Sequence, residues 1–145
     1  MANKKDHTPT FDSINPTLCV GRRLNALSRV FTKIYSRRLK DAGVTLTQSS
    51  IMFAIGKMQS VHQSELGKKL HLERSTVTRD LDRLIKRNYI RKIAHPISPI
   101  LEMTTEGKAF LEVFTPLWNE AQKEALDILG QEGQEALTIL SGLLK

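Results

Sequence analysis

Five side chains that could bind a polyanion recur at spacings of three and four residues within one segment. They are small hydroxyl residues followed by cations: Ser75, Thr76, Arg79, Arg83 and Lys86. Side chains at these spacings share one face of an α-helix. Small hydroxyl residues let a helix approach a surface closely, and an arginine one turn later can fork onto a guanine edge. The pattern predicts a helix whose N-terminal end enters the major groove of DNA.

The remaining residues of this segment predict how the helix is held. Its opposite face is apolar, with Val77, Leu81, Leu84 and Ile85. A short helix is predicted just before it, and a tight link at Leu72-Glu73 would complete a helix-turn-helix. Gln63 and Ser64, at the start of the short helix, are predicted to direct their amides and side chains at a phosphate. Phosphate contacts are also predicted for Arg74, Arg83, Lys86 and Arg87.

Other chemistry has little support in the sequence. The four histidines, His7, His62, His71 and His95, are scattered, and there is no second cysteine beside Cys19. No zinc site, other metal site or cofactor is therefore predicted. No motif provides a nucleophile with an oriented base, or paired carboxylates, so we do not expect an enzyme.

Charge placement favours a polyanion-binding part with a different second part. The 145 residues are 40% hydrophobic and carry a formal net charge of +7. Residues 16–41 and 60–95 have net charges of +6 and +5, whereas residues 102–145 have −5. A basic centre suits a polyanion. The N-terminus lacks the apolar core of a secretory signal, and no apolar run approaches the ~18 residues of a membrane span, so we expect a cytoplasmic protein without a membrane partner.

The first helix is predicted to be about 27 residues long. Asn15 and Pro16 form a good helix start, and Gly43 a good stop. Its apolar stripe is Val20, Leu24, Leu27, Phe31 and Ile34. Such a stripe suits either a partner chain or the core of a monomer, and the spacing alone leaves both open.

The rest of the chain predicts further elements in sequence. Thr47 is expected to cap a second helix, which ends at residues 60–62. Two strands, Ile90–Ile93 and Ile100–Met103, flank a proline-stiffened tip, and Thr104 caps a fifth helix. Pro116 is expected to kink that helix, and Gly130 and Gly133 to separate a sixth from it. The predicted fold is mainly α, in the order α-α-α-α-β-β-α-α.

The segment VHQSELGKKLHLERSTVTRDLDRLIKRNYIRK, with LTQSSIMFAI before it and MTTEGKAF after the hairpin, resembles the MarR family of winged helix-turn-helix transcriptional regulators. The resemblance covers about residues 17–145. It implies a homodimer whose first, fifth and sixth helices interlock. It also implies two recognition helices in successive major grooves of a pseudo-palindromic operator, and control by a small aromatic or phenolic ligand.

The resemblance assigns roles to particular positions. Ser75, Thr76, Thr78 and Arg79 fall on the recognition-helix contacts, and Ser64 on a backbone contact. Asn88 stands where the family usually has glycine, and it is expected to end the helix with left-handed backbone. The family's wing tip usually carries Asp-x-Arg, but residues 95–99 read HPISP and are about three residues short of that pattern. The nearest substitutes for the wing arginine are Arg91, Lys92 and His95.

The sequence therefore predicts a homodimeric, sequence-specific DNA-binding regulator, acting as a repressor released by a small ligand. Residues 1–14 are expected to be a flexible tail, 15–43 and 104–145 dimerisation helices, and 44–103 the winged helix-turn-helix. Tyr35, Phe53 and Phe114 are candidates for lining a ligand pocket. The alternatives are a dimeric helical module that acts on another protein, a small RNA-binding protein, and a repressor that senses oxidants through Cys19.

Overall fold

The computed structural model describes residues 8–144 and divides the chain into two compact units, Met1–Lys33 and Ile34–Lys145. The described elements are mainly helical: α1 Pro9–Asp12, α2 Val20–Leu39, α3 Leu46–Met58, β1 Ser60–His62, α4 Gln63–Leu70, α5 Arg74–Lys86, β2 Ile90–Ile93, β3 Ile100–Met103 and α6 Thr105–Ser141. Short 3₁₀ turns lie at Pro16–Leu18 and Lys40–Ala42. The prediction of a mainly helical winged helix-turn-helix chain is confirmed.

The N-terminal segment differs from its prediction in two respects. Part of the expected tail, Pro9–Asp12, is a short helix with proline at its first position, whereas residues 1–7 lie outside the described part. The Asn15 side chain does cap a helix, by accepting from the amide of Thr17, but this helix is a single 3₁₀ turn. Cys19 then has extended backbone, with ψ of 115°, so the α-helix starts only at Val20 and is 20 residues long.

The second unit follows the predicted order with one corrected cap and one additional strand. Thr45, not Thr47, caps α3: its hydroxyl accepts from the amide of Gln48, whose side chain accepts from the Thr45 amide. This reciprocal capping box satisfies two unpaired helix donors, which explains why Thr45 prevails. Residues 60–62, predicted only to end a helix, form β1.

The three strands form one antiparallel sheet in the order β1-β3-β2. Val61 pairs with Leu101 on one side of β3, and Lys92 pairs with the same residue on the other. The predicted strands Ile90–Ile93 and Ile100–Met103 have the predicted bounds. Asn88, before β2, is left-handed at φ 57°, as its place at a helix end predicts.

The C-terminal helix is one element of 37 residues whose backbone is interrupted once. Thr104 caps it by accepting from the amide of Gly107, as predicted. Pro116 lies within it, and the non-helical backbone occurs at Gly130, with φ 62°. The predicted break between a fifth and a sixth helix is therefore located at Gly130, while Gly133 remains helical.

The core of the second unit is formed by helices on the sheet. Apolar side chains with at most 1% exposure come from α2, α3, α4, α5, β2, β3 and α6: Leu39, Ile51, Met52, Ile55, Leu66, Leu81, Leu84, Ile90, Leu101, Phe114 and Ala121. In the described part of the chain, the helices are too short or too polar to cross a membrane.

Candidate nucleic-acid interface

Helix α5 has the two faces that its sequence predicts. Val77, Leu81 and Leu84 are buried, and Ile85 is half-buried. The predicted contact face is open to solvent: Ser75, Thr78, Arg79, Arg83 and Lys86 are exposed, and Thr76 is half-buried. The Thr78 hydroxyl donates to the backbone oxygen of Arg74 at 3.0 Å. A row of cations and hydroxyls is thus held on a helix anchored by its other face.

The turn between α4 and α5 depends on close backbone approach. His71 has left-handed backbone at φ 51°, and the amide of Leu72 donates to the backbone oxygen of Gly67 at 2.9 Å. A Cβ at Gly67 would lie 3.3 Å from the Leu72 oxygen and 3.4 Å from Cγ2 of Val77. Gly67 therefore permits the close approach of this turn to α4.

A buried acid fixes α5 to α3. Asp80 is 4% exposed, and its Oδ1 accepts from Nε2 of Gln48 at 3.1 Å. The guanidinium of Arg83 lies 3.5 Å from the same oxygen. Sequence reasoning missed this contact because the two residues of the amide–carboxylate pair are 32 positions apart.

The backbone amides of Gln63 and Ser64 were predicted to point at a phosphate, but both donate hydrogen bonds within the chain. The Gln63 amide donates to the Pro99 oxygen at 2.9 Å, and the Ser64 amide donates to Oγ of Ser98 at 3.2 Å. The short wing tip therefore occupies donors that were assigned to a phosphate. The Gln63 carbonyl oxygen Oε1 is buried without a hydrogen-bond partner.

The three wing residues predicted to contact DNA have different environments. Arg91 is paired with Glu102, its partner in the strand register, and its Nε lies 2.9 Å from Oε2. Lys92 is exposed on the edge of a cleft that Arg74 also lines. His95 packs edge-on against His62, with ring centroids 4.7 Å apart. Of these three residues, Lys92 is the most available for a phosphate contact, because it is exposed and Arg91 is paired with Glu102.

Arg87 has a different environment from the one its sequence position predicts. Its guanidinium donates to the backbone oxygens of Gly43 and Ala42 and to the hydroxyl of Tyr89. It also lies over the rings of Tyr89 and Phe110, at 4.8 and 5.9 Å from their centroids. These contacts connect the end of α5 to the turn after α2, so the predicted phosphate contact is not favoured.

The aromatic candidates belong to one cluster but have different environments. Phe114 is fully buried among Phe53 and Phe110, so it is core and not a pocket wall. Phe53 meets the ring of Trp118 edge-on at 5.4 Å, and both line a cleft of about 650 Å³ between α3, β3 and α6. Trp118 lies on the buried face of α6 with Phe114 and Ala121. It was missed in the sequence because its ring partners, Tyr35 and Phe53, are far away along the chain.

Tyr35 lies at the other end of this cluster. Its ring centroid is 6.2 Å from that of Trp118, and its hydroxyl donates to the side-chain oxygen of Gln122. Burial raises the pKa of Tyr35 above its usual value. The residue holds α2 against α6 and does not line the cleft.

The remaining candidate chemistry has little support. Cys19 is exposed and unbonded, and it is the sole cysteine of the sequence, so any disulfide would join two molecules. Among residues 8–144, no cluster of three or more metal-ligating side chains occurs. His7 lies outside the described residues.

Comparison with known proteins agrees with this geometry. Residues 44–97, which include both helices of the helix-turn-helix, match the sequence model of the MarR family. The HTH-type transcriptional regulator SarZ of Staphylococcus aureus is 28% identical over 112 residues, covering 70% of this chain and 76% of SarZ. Residues 44–97 of the chain are therefore similar to the MarR family.

Two solved structures show the same fold. A mutant MarR from Escherichia coli complexed with operator DNA has a TM-score of 0.76 at 20% identity, covering 88% of this chain and 94% of that one. BpsR of Bordetella bronchiseptica, whose DNA binding is regulated by 6-hydroxynicotinic acid, has a TM-score of 0.79 at 17% identity, covering 91% and 98%. SarZ is named a transcriptional regulator, which is the class of protein that the sequence predicts.

Proposed function

We propose that the chain is a homodimeric, sequence-specific DNA-binding repressor that a small ligand releases from its operator. The exposed row on α5 carries this proposal, because its cations and hydroxyls project from a helix whose inner face is buried. Ser75, Thr76, Thr78 and Arg79 would read base edges, while Arg74, Arg83, Lys86 and Lys92 would contact phosphates. Ser64, exposed at the start of α4, would add a side-chain contact. A DNA target also supports the predicted cytoplasmic location.

Exposed apolar side chains support the homodimer. In the first unit, Leu24, Leu27 and Val30 of α2 are 49%, 53% and 53% exposed. In the second unit, large apolar side chains after Gly130 are exposed: Leu137, Ile139, Leu140, Leu143 and Leu144. Apolar surface of this extent usually marks an interaction site. We expect Leu140→Glu to shift the chain from dimer to monomer in light scattering, whereas Lys123→Glu, on the same helix, should remain dimeric.

The cleft beside Trp118 supports regulation by an aromatic ligand. Its walls combine the rings of Phe53 and Trp118 with the amines of Lys57 and Lys108. These groups suit a small aromatic acid, and BpsR responds to such a compound. Because Trp118 is the only tryptophan, titration with 6-hydroxynicotinic acid should quench the fluorescence of wild type. Phe53→Leu should weaken the quenching.

Selection of duplexes from a random pool tests DNA reading. We expect a palindromic site to be enriched, and Arg79→Ala to cost about 1–3 kcal/mol of binding and relax one base position. Lys123→Ala, which removes an exposed cation of α6, should leave the site and affinity unchanged. An unenriched pool would contradict the proposal and favour the protein-interaction module. Tighter binding to single-stranded RNA than to duplex would favour RNA binding.

A further inference from the structure

The wing tip carries one large apolar side chain that nothing in the described chain covers. Ile97 is 85% exposed, although the strands on both sides of the tip are paired with each other in the sheet. An exposed isoleucine is unremarkable on a mobile loop, because the loop can turn it inward part of the time. The tip of this wing is held in place, so the exposure of Ile97 is a fixed property.

The residues on both sides of Ile97 are fixed to the start of α4. Ser98 is buried: its hydroxyl accepts from the Ser64 amide, and its backbone oxygen lies 2.9 Å from Nδ1 of His62. The Pro99 oxygen accepts from the Gln63 amide. On the other side, the amide of Ile97 donates to Nδ1 of His95 at 3.3 Å, and the His95 ring packs on His62.

The surroundings of Ile97 are basic. It lines a cleft of about 690 Å³ together with Lys68, Arg74 and Lys92, next to Thr78 of α5. A protein partner would bury the isoleucine but leave three cations to be neutralised. Duplex DNA satisfies both, because phosphates neutralise the cations while bases present apolar surface between the two strands.

We infer that Ile97 is an apolar wedge that presses on a base step in the minor groove flanking the major groove read by α5. This rests on the proposed DNA binding. The major groove admits one helix, so an element beside α5 lies over the neighbouring minor groove. The isoleucine side chain cannot donate or accept a hydrogen bond, so it cannot read the polar groups of a base edge. Its contact would instead favour base steps that unstack at low energetic cost. Flexible pyrimidine–purine steps would be favoured over stiff A-tracts.

Binding and bending of duplexes labelled at both ends test the wedge. The duplexes would carry the selected site with either TA or AA at the flanking step. We expect Ile97→Ala to weaken binding about tenfold, to reduce the bend seen by energy transfer, and to abolish the preference for TA. Ile97→Val, which keeps the branched side chain, should retain the bend and the preference.

Salt dependence and a second site separate this inference from DNA binding itself. Ile97→Ala should leave the slope of log affinity against log salt unchanged, whereas Lys92→Ala should reduce its magnitude by about 0.9. The wedge alone would be overturned if Ile97→Ala kept the affinity, bend and step preference of wild type while Arg79→Ala weakened binding. If wild type itself binds no duplex, both the wedge and the proposed function are wrong.

Discussion

Arg87 donates a hydrogen bond to the backbone oxygen of Gly43 across 2.6 Å, joining residues that are 44 positions apart. Gly43 ends the turn after α2 with left-handed backbone at φ 69°, and Arg87 follows the last residue of the recognition helix. The guanidinium thus fixes one end of the helix proposed to read DNA. We infer that the arginine positions this helix and does not contact phosphate.

The first prediction concerns salt dependence. Arg87→Ala should lower the free energy of unfolding by about 1 kcal/mol and weaken DNA binding. It should leave the slope of log affinity against log salt unchanged, because no phosphate contact is lost. Lys86→Ala, beside it, should reduce the slope by about 0.9 with little effect on stability. An equal loss of slope in the two variants would mean that Arg87 contacts phosphate.

The second prediction concerns the start of α6. A Cβ at Gly107 would lie 2.1 Å from the backbone oxygen of Tyr89 and 2.7 Å from Cε of Met103. Gly107→Ala should therefore lower the free energy of unfolding by about 3 kcal/mol, since backbone must move. At Gly21 of α2 a Cβ would meet nothing within 4 Å. The free energy of unfolding of Gly21→Ala should therefore equal that of wild type or exceed it by up to about 1 kcal/mol. Urea titration measures both variants.

The third prediction concerns the turn before the wing. Asn88 is left-handed, where glycine and asparagine are tolerated and β-branched residues are not. Asn88→Gly should keep the free energy of unfolding within about 0.5 kcal/mol of wild type, whereas Asn88→Val should lower it by about 1–2 kcal/mol. Equal melting temperatures for the two variants would show that the turn does not need this conformation.

The fourth prediction concerns acid. Hydrogen bonding from Arg37, aided by Arg38, holds the pKa of Glu124 below its ordinary value of 4.5 despite partial desolvation. A carboxyl whose pKa falls on folding stabilises the native state above its unfolded pKa and loses this effect as pH falls through the folded value. Wild type should melt above Glu124→Gln at pH 7, and the difference should shrink below about pH 4.5. A difference in melting temperature that stays constant below about pH 4.5 would contradict this role of Glu124.

Local signals in the sequence predicted much of this architecture. The strand bounds, the cap at Thr104 and the left-handed Asn88 all depend on residues within a few positions of one another. The buried and exposed faces of α5 follow from helical periodicity alone. Short-range patterns also misled in one case, because a threonine two residues too late was taken as the cap of α3 in place of Thr45.

The features that the sequence did not predict depend on contacts between segments that are distant along the chain. The three residues of β1 are too few for alternation to show, and they form a strand because β3 offers a free edge. The wing tip occupies the amides at the start of α4 only because the fold places residues 98 and 99 there. Arg87 and Trp118 have their roles for the same reason: their partners lie far away in sequence.

The break at Gly130 divides α6 into a part that completes its own core and a part that does not. Before it, Phe114, Ala121 and Ala125 are buried, although Val113 and Ile128 are exposed; after it, the exposed large apolar side chains are Leu137, Ile139, Leu140, Leu143 and Leu144. Under the proposed dimer, the amount of protein made becomes part of the regulation. At low concentration the chain would be mostly monomeric, and a monomer would bind half of the operator weakly and would be more open to proteolysis. Operator occupancy would therefore rise more steeply than the concentration of the protein.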